Sequence, residues 1–229
     1  YYHIDHGLRN SSSAEAKLLK KKLGKFDIKI DIIKWNRKKP IKNIQSDSRK
    51  MRYQLIFKKM QQDNVKNVFF GHTEDDLIEN FFLRLTRGSG TDGLVSFNNL
   101  ISKFNNFSVI RLLLDSSKDE LIYISNKVFN FYIEDISNAN ESFKRVRFRS
   151  IIKKIKSEGL DIKKLNKTIK NLDLSNRAIR FYTDENIIQN TNFLSNNRKV
   201  IISKNFFIKP EEIIFRSLSQ ILKRIGGKY

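Results

Sequence analysis

The sequence predicts an α/β fold, in which a parallel sheet is flanked by helices and followed by a smaller, mainly helical domain. Through the first two-thirds of the chain, short apolar segments alternate with amphipathic ones, as expected for parallel strands joined by helical crossovers. Beyond about residue 155 most segments have helical periodicity. We therefore expect one domain at 1–155 and another at 156–229, with ligands at the carboxyl ends of the strands.

Local patterns define the individual elements. Ile28, Ile30 and Ile32 alternate with polar residues, which is the period of a strand, and Gly24 ends the helix before them. Further strands are predicted at 1–5, 65–70 and 109–114. Helices of the first domain are predicted at 14–23, at 48–62, from 74 onward and at 117–127. The second domain is predicted to contain helices at 161–171 and 175–189, a short strand pair within 199–208, and a last helix in which Pro210 is the first residue.

Composition limits the classes of function. The formal net charge of +21 favours a polyanionic partner such as RNA. The same excess of lysine also arises from AT-rich coding DNA, so charge alone leaves the partner open. The absence of cysteine excludes disulfides, thiolate zinc sites and cysteine nucleophiles. No apolar run approaches the roughly 20 residues of a membrane span, and no secretory signal is present, so we expect a cytoplasmic protein without a membrane partner.

Carboxylates gather in one segment of this basic chain, 71–79, directly after a predicted strand. Asp76 and Glu79 lie one helical turn apart, on a face that we expect to point away from the core. Two such carboxylates can hold nucleotide-bound Mg²⁺ or an ammonium group. As an alternative, Thr73 and Asp76 resemble a capping box, which leaves Glu79 unexplained. The opposite face, which we expect to pack on the sheet, consists of Leu77, Ile78, Phe81, Phe82 and Leu85.

A glycine-rich segment follows this helix. Gly88, Gly90 and Gly93 stand close together after Arg87, in a loop whose backbone N–H groups are exposed. Such a loop suits contact with phosphate or substrate. A glycine helix cap followed by an ordinary surface turn is the alternative.

The motifs in this order resemble those of one enzyme family, the tRNA(Ile)-lysidine synthetases, which are N-type ATP pyrophosphatases of the PP-loop superfamily. The segment His72-Thr73-x-Asp75-Asp76-x-x-Glu79, followed by Arg84-x-x-Arg87-Gly88-Ser89-Gly90-x-x-Gly93-Leu94, is similar to the signature helix of the family. The other motifs are Asp5-His6-Gly7-Leu8-Arg9, Arg49-x-x-Arg52-Tyr53, Glu134-Asp135-x-Ser137-Asn138 with Arg145-x-Arg147-x-Arg149, and Glu211-Glu212 with Arg216 before Arg224-x-Gly226-Gly227.

This resemblance implies an adenine nucleotide α-hydrolase-like fold and a two-step ligation. In the family, the carbonyl oxygen of a wobble cytidine attacks the α-phosphate of ATP and pyrophosphate leaves. The ε-amine of free lysine then displaces AMP from the adenylated cytidine. The implied cofactors are ATP and Mg²⁺, and the implied partners are free lysine and the isoleucine tRNA with a CAU anticodon. The domain at 156–229 would bind tRNA or substrate.

The resemblance also implies roles for individual residues. Asp76 and Glu79 are expected jointly to bind Mg²⁺ and to handle the lysine ammonium, without a choice between them. Arg52 is the catalytic arginine expected near the reacting phosphate. The nucleotide-site residues are Asp5, His6, Arg9, His72 and Arg87. The residues expected to contact tRNA are Arg145, Arg147 and Arg149, for which salt bridges to Asp135 or Glu141 are the alternative.

The sequence departs from the family in one motif. The phosphate loop Ser-Gly-Gly-x-Asp-Ser, which precedes the Asp5 motif in the family, does not occur in it. We therefore expect a sequence truncated at its N-terminus, lacking the first strand of the sheet, and cut at its C-terminus as well. The isolated chain is predicted to be inactive. Two alternatives remain at this point: a tRNA thiolase of the same superfamily, although those enzymes usually rely on cysteines, and a non-catalytic basic RNA-binding protein on a degenerate scaffold.

Overall fold

A computed structural model describes residues 1–7, 11–36, 44–98, 100–104, 106–133, 144–194 and 199–226. The chain forms two compact units, Tyr1–Glu79 with Asn99–Arg149 and Asn80–Asn98 with Ser150–Tyr229. The two units are interleaved along the sequence, and the domain division near residue 155 stays a prediction. None of the helices in these ranges combines the length and the apolar character needed to cross a membrane.

Strands and helices alternate in the first part of the chain, as predicted, whereas the strand pair predicted within 199–208 lies at 191–194 and 199–202 and is followed by a 3-10 helix. The first part of the chain contains β1 (Tyr2–Asp5), α1 (Ser12–Gly24), β2 (Asp31–Lys34), α2 (Ile44–Gln62), β3 (Asn67–Phe69), α3 (Glu74–Leu85), α4 (Thr91–Leu94), β4 (Ile101–Phe104), β5 (Phe107–Ile110) and α5 (Lys118–Phe129). The second part contains α6 (Lys144–Ser157), α7 (Ile162–Asn190), β6 (Thr191–Leu194), β7 (Lys199–Ile202), a 3-10 helix (Lys204–Ile208) and α8 (Glu211–Gly226).

The strands of the first unit form two small sheets. β1 pairs in parallel with β2, with Tyr2 opposite Asp31, and β3 pairs in parallel with β5. This arrangement confirms the predicted α/β class with parallel strands. Within the described residues, β1 and β3 are each paired on one edge only and do not pair with each other.

A short hairpin differs from the prediction. β4 pairs antiparallel with β5, where the sequence predicted a single strand at 109–114. β4 has one strongly apolar residue at each end, Ile101 and Phe104, separated by Ser102 and Lys103, so it carries no period-2 pattern. The pairing with β5 stabilises it as a strand in spite of this composition.

Helix ends follow local capping chemistry. Ser117 and Glu120 form a reciprocal capping box at the start of α5, and the side chain of Asp161 caps α7 by accepting from the N–H groups of Lys163 and Lys164. The two helices predicted at 161–171 and 175–189 are one continuous helix, because no glycine or proline interrupts them. Pro210 lies just before α8, and its carbonyl accepts from the N–H groups of Ile213 and Ile214.

The second unit contains an unusual helix interface. α7 buries a row of polar residues against α8 and the 3-10 helix, while Leu174, Phe181 and Ile188 on another face are exposed. The Nδ2 of Asn186 donates to the Oγ of Ser217 at 3.2 Å, and the Oγ of Ser217 donates to the carbonyl of Thr183 at 3.3 Å. The residues of this polar seam are Asn176, Thr183, Asn186, Asn190 and Ser217.

Two glycines of the glycine-rich segment have conformational reasons for being glycine. Gly88 has φ +66°, in the left-handed region that ends helices. A Cβ on Gly93 would lie 2.8 Å from the Cβ of Ser89, which is closer than van der Waals contact allows. These constraints match the alternative reading of a glycine cap and turn.

We predict that Gly93→Ala lowers the free energy of unfolding by about 1–3 kcal/mol, because the new methyl group overlaps Ser89. Urea unfolding measures this change. Gly90→Ala is the matched control, since nothing lies within 4 Å of a Cβ there. Adding Ser89→Gly to Gly93→Ala should restore most of the loss; a double variant as unstable as Gly93→Ala would contradict the steric explanation.

Candidate active site

The carboxyl end of β1 carries Asp5, which organises the chain that follows it. The carboxylate accepts from the backbone N–H of Gly7 at 2.9 Å, from the Oγ of Ser12 at 2.7 Å and from the Oγ of Ser13. Burial raises the pKa of Asp5, but these hydrogen bonds outweigh it, so the pKa lies below its ordinary value. Asp5 is therefore an ionised anchor between β1 and α1, with both oxygens engaged by the chain.

His6 and Arg52 lie together beside this strand end. The Nε and Nη2 atoms of Arg52, on α2, are each 3.4 Å from the Nε2 of His6. The His6 ring meets the ring of Trp35, which follows β2, edge to face at 5.9 Å between centroids. The predicted neighbours Asp5, His6 and Arg52 thus come together at one end of the β1–β2 sheet. Arg9 lies outside the described residues.

His72, after β3, is close to several arginines. Burial is the largest cause of its low pKa of about 4; the negative charge of Asp76 opposes the shift, and the positive charges of Arg111, Arg49 and Arg52 add to it. His72 is therefore neutral at physiological pH. The arginines provide the positive charge expected for a site that binds phosphate.

Sequence reasoning did not single out Arg111. It is buried directly after β5, and its Nη1 donates to the Oγ of Ser102 at 2.7 Å. An arginine directly following a buried strand is the signal that could have identified it, since such a position lies at the ligand-binding edge of a parallel sheet.

Asp76 stabilises the start of α3. Its Oδ2 accepts from the backbone N–H of Thr73 at 3.0 Å and from the Oγ1 of Thr73 at 3.2 Å. The alternative interpretation, in which Asp76 caps the helix, is therefore correct for its Oδ2. Its Oδ1 accepts no hydrogen bond within the described part of the chain, so one oxygen remains open to a ligand.

Glu79 is buried, with 3% of its surface exposed, and is paired with two arginines of α6. The Nε of Arg149 donates to its Oε2 at 2.7 Å, and the Nε of Arg145 lies 3.2 Å from its Oε1. Burial raises the pKa of Glu79 above its ordinary value, and the attraction and hydrogen bond of the arginines oppose that rise. The expectation that this helix face points away from the core is wrong for Glu79, because α6 covers it.

The remaining predicted contacts divide between the two units. Arg145 and Arg149 pair with Glu79; the predicted alternative partners, Asp135 and Glu141, lie outside the described residues. Arg147 is exposed on the same helix, and Arg87 is exposed in the second unit. Leu85, which was expected to pack on the sheet, is 49% exposed because it ends α3.

A metal ion would find few ligands here. Within the described ranges, no group of three or more His, Cys, Asp or Glu side chains could hold one. Nucleotide-bound Mg²⁺, however, commonly takes only one or two protein carboxylates, the rest being phosphate and water oxygens. The open Oδ1 of Asp76 fits that requirement, whereas both oxygens of Glu79 already face arginine.

We predict that His72 makes the fold sensitive to acid. Because its pKa falls from 6.5 to about 4 on folding, the unfolded chain binds a proton that the folded protein does not bind between these values. The free energy of unfolding therefore decreases as pH falls through this window, and His72→Asn should reduce that decrease. Urea unfolding from about pH 4 to about pH 8 tests this. An unchanged pH dependence in the variant would contradict it; the values near pH 8 correct for other effects of the substitution.

Comparisons with known proteins show which family the chain resembles. The profile of the PP-loop domain family matches residues 1–155. The chain is 30% identical to the tRNA(Ile)-lysidine synthase of Wolbachia sp. subsp. Brugia malayi, covering 99% of this chain and 52% of that protein. It is also 30% identical to that of Rhodopseudomonas palustris, covering 97% of this chain and 64% of that protein, and 26% identical to that of Anaplasma marginale, with 98% and 48%. The chain thus spans about half to two-thirds of the length of these relatives.

A solved structure supports the fold. The U34-tRNA thiolase NcsA from Methanococcus maripaludis, with its [4Fe-4S] cluster, superposes with a TM-score of 0.59 at 13% identity, covering 75% of this chain and 59% of that chain. The parallel strands and these similarities agree with one another. The resemblance to the tRNA(Ile)-lysidine synthetases is confirmed, and the chain belongs to the PP-loop domain family.

Proposed function

We propose that the protein to which this chain belongs uses ATP to ligate free lysine to the wobble cytidine of the isoleucine tRNA with a CAU anticodon, in the cytoplasm. One observation carries the proposal. Arg49, Arg52 and Arg111 lie close enough to His72 to lower its pKa, beside the carboxylate of Asp76. A positive cluster next to a carboxylate is what an adenylation reaction needs, and the relatives named tRNA(Ile)-lysidine synthase supply the substrate class.

The arginine cluster would act in the first step. When the cytidine oxygen attacks the α-phosphorus and pyrophosphate leaves, negative charge builds on the phosphoryl oxygens. Fixed guanidinium groups stabilise that charge by charge-assisted hydrogen bonds. Arg52 is suited to this because His6 holds its Nε and Nη2. His72, being neutral, adds a polar group without competing for the phosphate.

The two carboxylates would divide the remaining work. Asp76 would hold Mg²⁺ through Oδ1, the oxygen that accepts no hydrogen bond in the described ranges. The metal would supply positive charge to the phosphates of ATP. Glu79 would accept the proton that the lysine ammonium must lose before its amine attacks, a role favoured by its raised pKa. AMP then leaves as the new C–N bond forms.

Arg145 and Arg149 would connect this carboxylate to the tRNA. Their contacts with Glu79 use Nε, and the side chains are 41% and 39% exposed. The guanidinium of Arg145 carries further N–H donors, which would reach a phosphate of the tRNA backbone. The segment 156–229 would provide additional basic surface for the same tRNA, because exposed lysines such as Lys163 and Lys167 lie along α7.

A non-catalytic RNA-binding protein is the second candidate. The observation that favours it is the full engagement of Glu79 by arginines and of Asp5 by Gly7, Ser12 and Ser13. Such a protein would bind tRNA whatever its anticodon, and its function would not depend on the charge of Glu79.

The decisive variant is Glu79→Gln, in a protein that carries a Ser-Gly-Gly-x-Asp-Ser segment upstream of Tyr1. We expect lysine incorporation into the CAU isoleucine tRNA to fall at least about a hundredfold, because the proton acceptor is lost, while tRNA binding changes little. Glu185→Gln, on α7, is the control. Unchanged incorporation in Glu79→Gln, or equal binding of tRNAs with other anticodons, would favour the RNA-binding alternative.

We also predict that the isolated chain of 229 residues does not transfer lysine. Pyrophosphate lacks its backbone cradle without the Ser-Gly-Gly-x-Asp-Ser segment. Radiolabelled lysine, ATP and the tRNA are the reagents for this assay. Incorporation above background by this chain would show that the phosphate loop is dispensable.

A further inference from the structure

The glycine-rich segment of the second unit is tied to two helices by one arginine. The side chain of Arg216, on α8, donates from Nη2 to the Oγ1 of Thr91 at 2.7 Å, from Nη1 to the Oδ1 of Asn176 at 2.7 Å and from Nε to Glu212 at 2.7 Å. Thr91 is the first residue of α4, and Asn176 lies in the middle of α7. All three guanidinium nitrogens of Arg216 are therefore used, and its geometry is fixed.

A second arginine holds the next residue of the segment. Arg180, one turn after Asn176 on α7, binds Asp92 through Nε at 2.9 Å and also through Nη2. The Nδ2 of Asn176 donates to the same Oδ1 of Asp92 at 3.2 Å. Burial raises the pKa of Asp92, but the bonds from Arg180 and Asn176 outweigh it, so the carboxylate is ionised. We call Thr91, Asp92, Asn176, Arg180 and Arg216 the α4 clamp.

The α4 clamp is difficult to rearrange. Asn176 has 0% of its surface exposed, so water cannot replace Arg216 or Asp92 as its partner. Gly93, the residue after Asp92, lies against Ser89, which fixes the other side of the turn. A helix of only four residues has little stability of its own, so its position depends on these contacts.

Arg87 precedes the α4 clamp in the sequence and takes no part in it. Arg87 is exposed, and its side chain makes no hydrogen bond or ion pair with any described residue. The turn that follows it is closed by backbone bonds from Gly88 to Leu85 at 3.0 Å and from Ser89 to Arg84 at 3.2 Å. The backbone of Arg87 thus lies between the end of α3 and the clamped start of α4.

We propose that Arg180 and Arg216 are positioning residues: by holding Asp92 and Thr91 they set the place of the Arg87 guanidinium, which binds a backbone phosphate of RNA. The inference rests on the proposed function for the identity of the RNA, a tRNA. It adds a role to two arginines of the helical region that do not themselves contact the RNA.

Binding of tRNA by the chain itself is the test, because it needs no catalysis. Fluorescence anisotropy gives the Kd for the CAU isoleucine tRNA and for a tRNA with another anticodon, at several salt concentrations. The variants are Arg87→Ala, Arg180→Ala, Arg216→Ala and the double variant Arg87→Ala/Arg180→Ala. Arg177→Ala is the matched control, since Arg177 lies on the same helix but pairs locally with Asp173. Arg180→Lys tests rescue by a residue that keeps the charge.

We expect Arg87→Ala to raise the Kd about fivefold to tenfold for both tRNAs. It should also reduce the slope of log Kd against log salt concentration by the amount that about one phosphate contact contributes. Arg180→Ala should raise the Kd by a similar factor, and Arg180→Lys by a smaller one. Arg177→Ala should raise it by no more than the loss of one positive charge explains. The double variant should bind as Arg87→Ala alone does, because Arg180 acts through Arg87.

Three results would overturn the proposal: an unchanged Kd in Arg87→Ala, an unchanged Kd in folded Arg180→Ala, or additive effects in the double variant. If Arg216→Ala does not fold, Asp92→Asn replaces it, since it removes the charge that Arg180 binds and leaves the buried Asn176 in place. Failure of the proposed function alone would give a different result. The two tRNAs would then have equal Kd values, while the Arg87 and Arg180 variants would still raise the Kd.

Discussion

The pairing of Glu79 with Arg145 and Arg149 is the interaction on which the first unit depends most. A carboxylate removed from water has a large desolvation penalty unless cations and hydrogen bonds replace the water. Two arginines one helical turn apart on α6 meet this need, each with its Nε directed at a different oxygen. Because Glu79 requires this compensation, the side chains of Arg145 and Arg149 are held against α3.

Desolvation also explains the neutral histidine. Burial is the main cause of the low pKa of His72, and the positive charges of Arg111, Arg49 and Arg52 add to it. Asp76 offsets part of this field and, at the same time, caps α3 through one oxygen. In the second unit, the partly buried carboxylate of Asp92 is compensated in a similar way, by hydrogen bonds from Arg180 and from the amide of Asn176. Glu79 and Asp92 are thus each held by contacts that are distant in sequence.

How far the sequence predicts the structure depends on how local each feature is. The strand–helix alternation, the cap formed by Thr73 and Asp76 and the glycine turn at Gly88 depend on neighbouring residues, and all of them appear in the structure. The partners of Glu79 lie about 70 positions away, and no local pattern identifies them. β4 forms a strand only because it pairs with β5, and Arg111 can be recognised as a candidate site residue only once the strand before it is known. The predicted nucleotide and tRNA roles of the site residues stay predictions.

The polar seam between α7 and α8 has a consequence for how that helix pair tolerates change. Apolar contacts are non-directional, whereas a ladder of amide and hydroxyl groups is satisfied in only one axial alignment. A shift of α7 by one turn would separate Asn186 from Ser217 and leave buried donors without acceptors. The polar seam therefore fixes the spacing of its residues along α7. An inserted or deleted residue between Asn176 and Asn190 would displace every seam residue that follows it on α7.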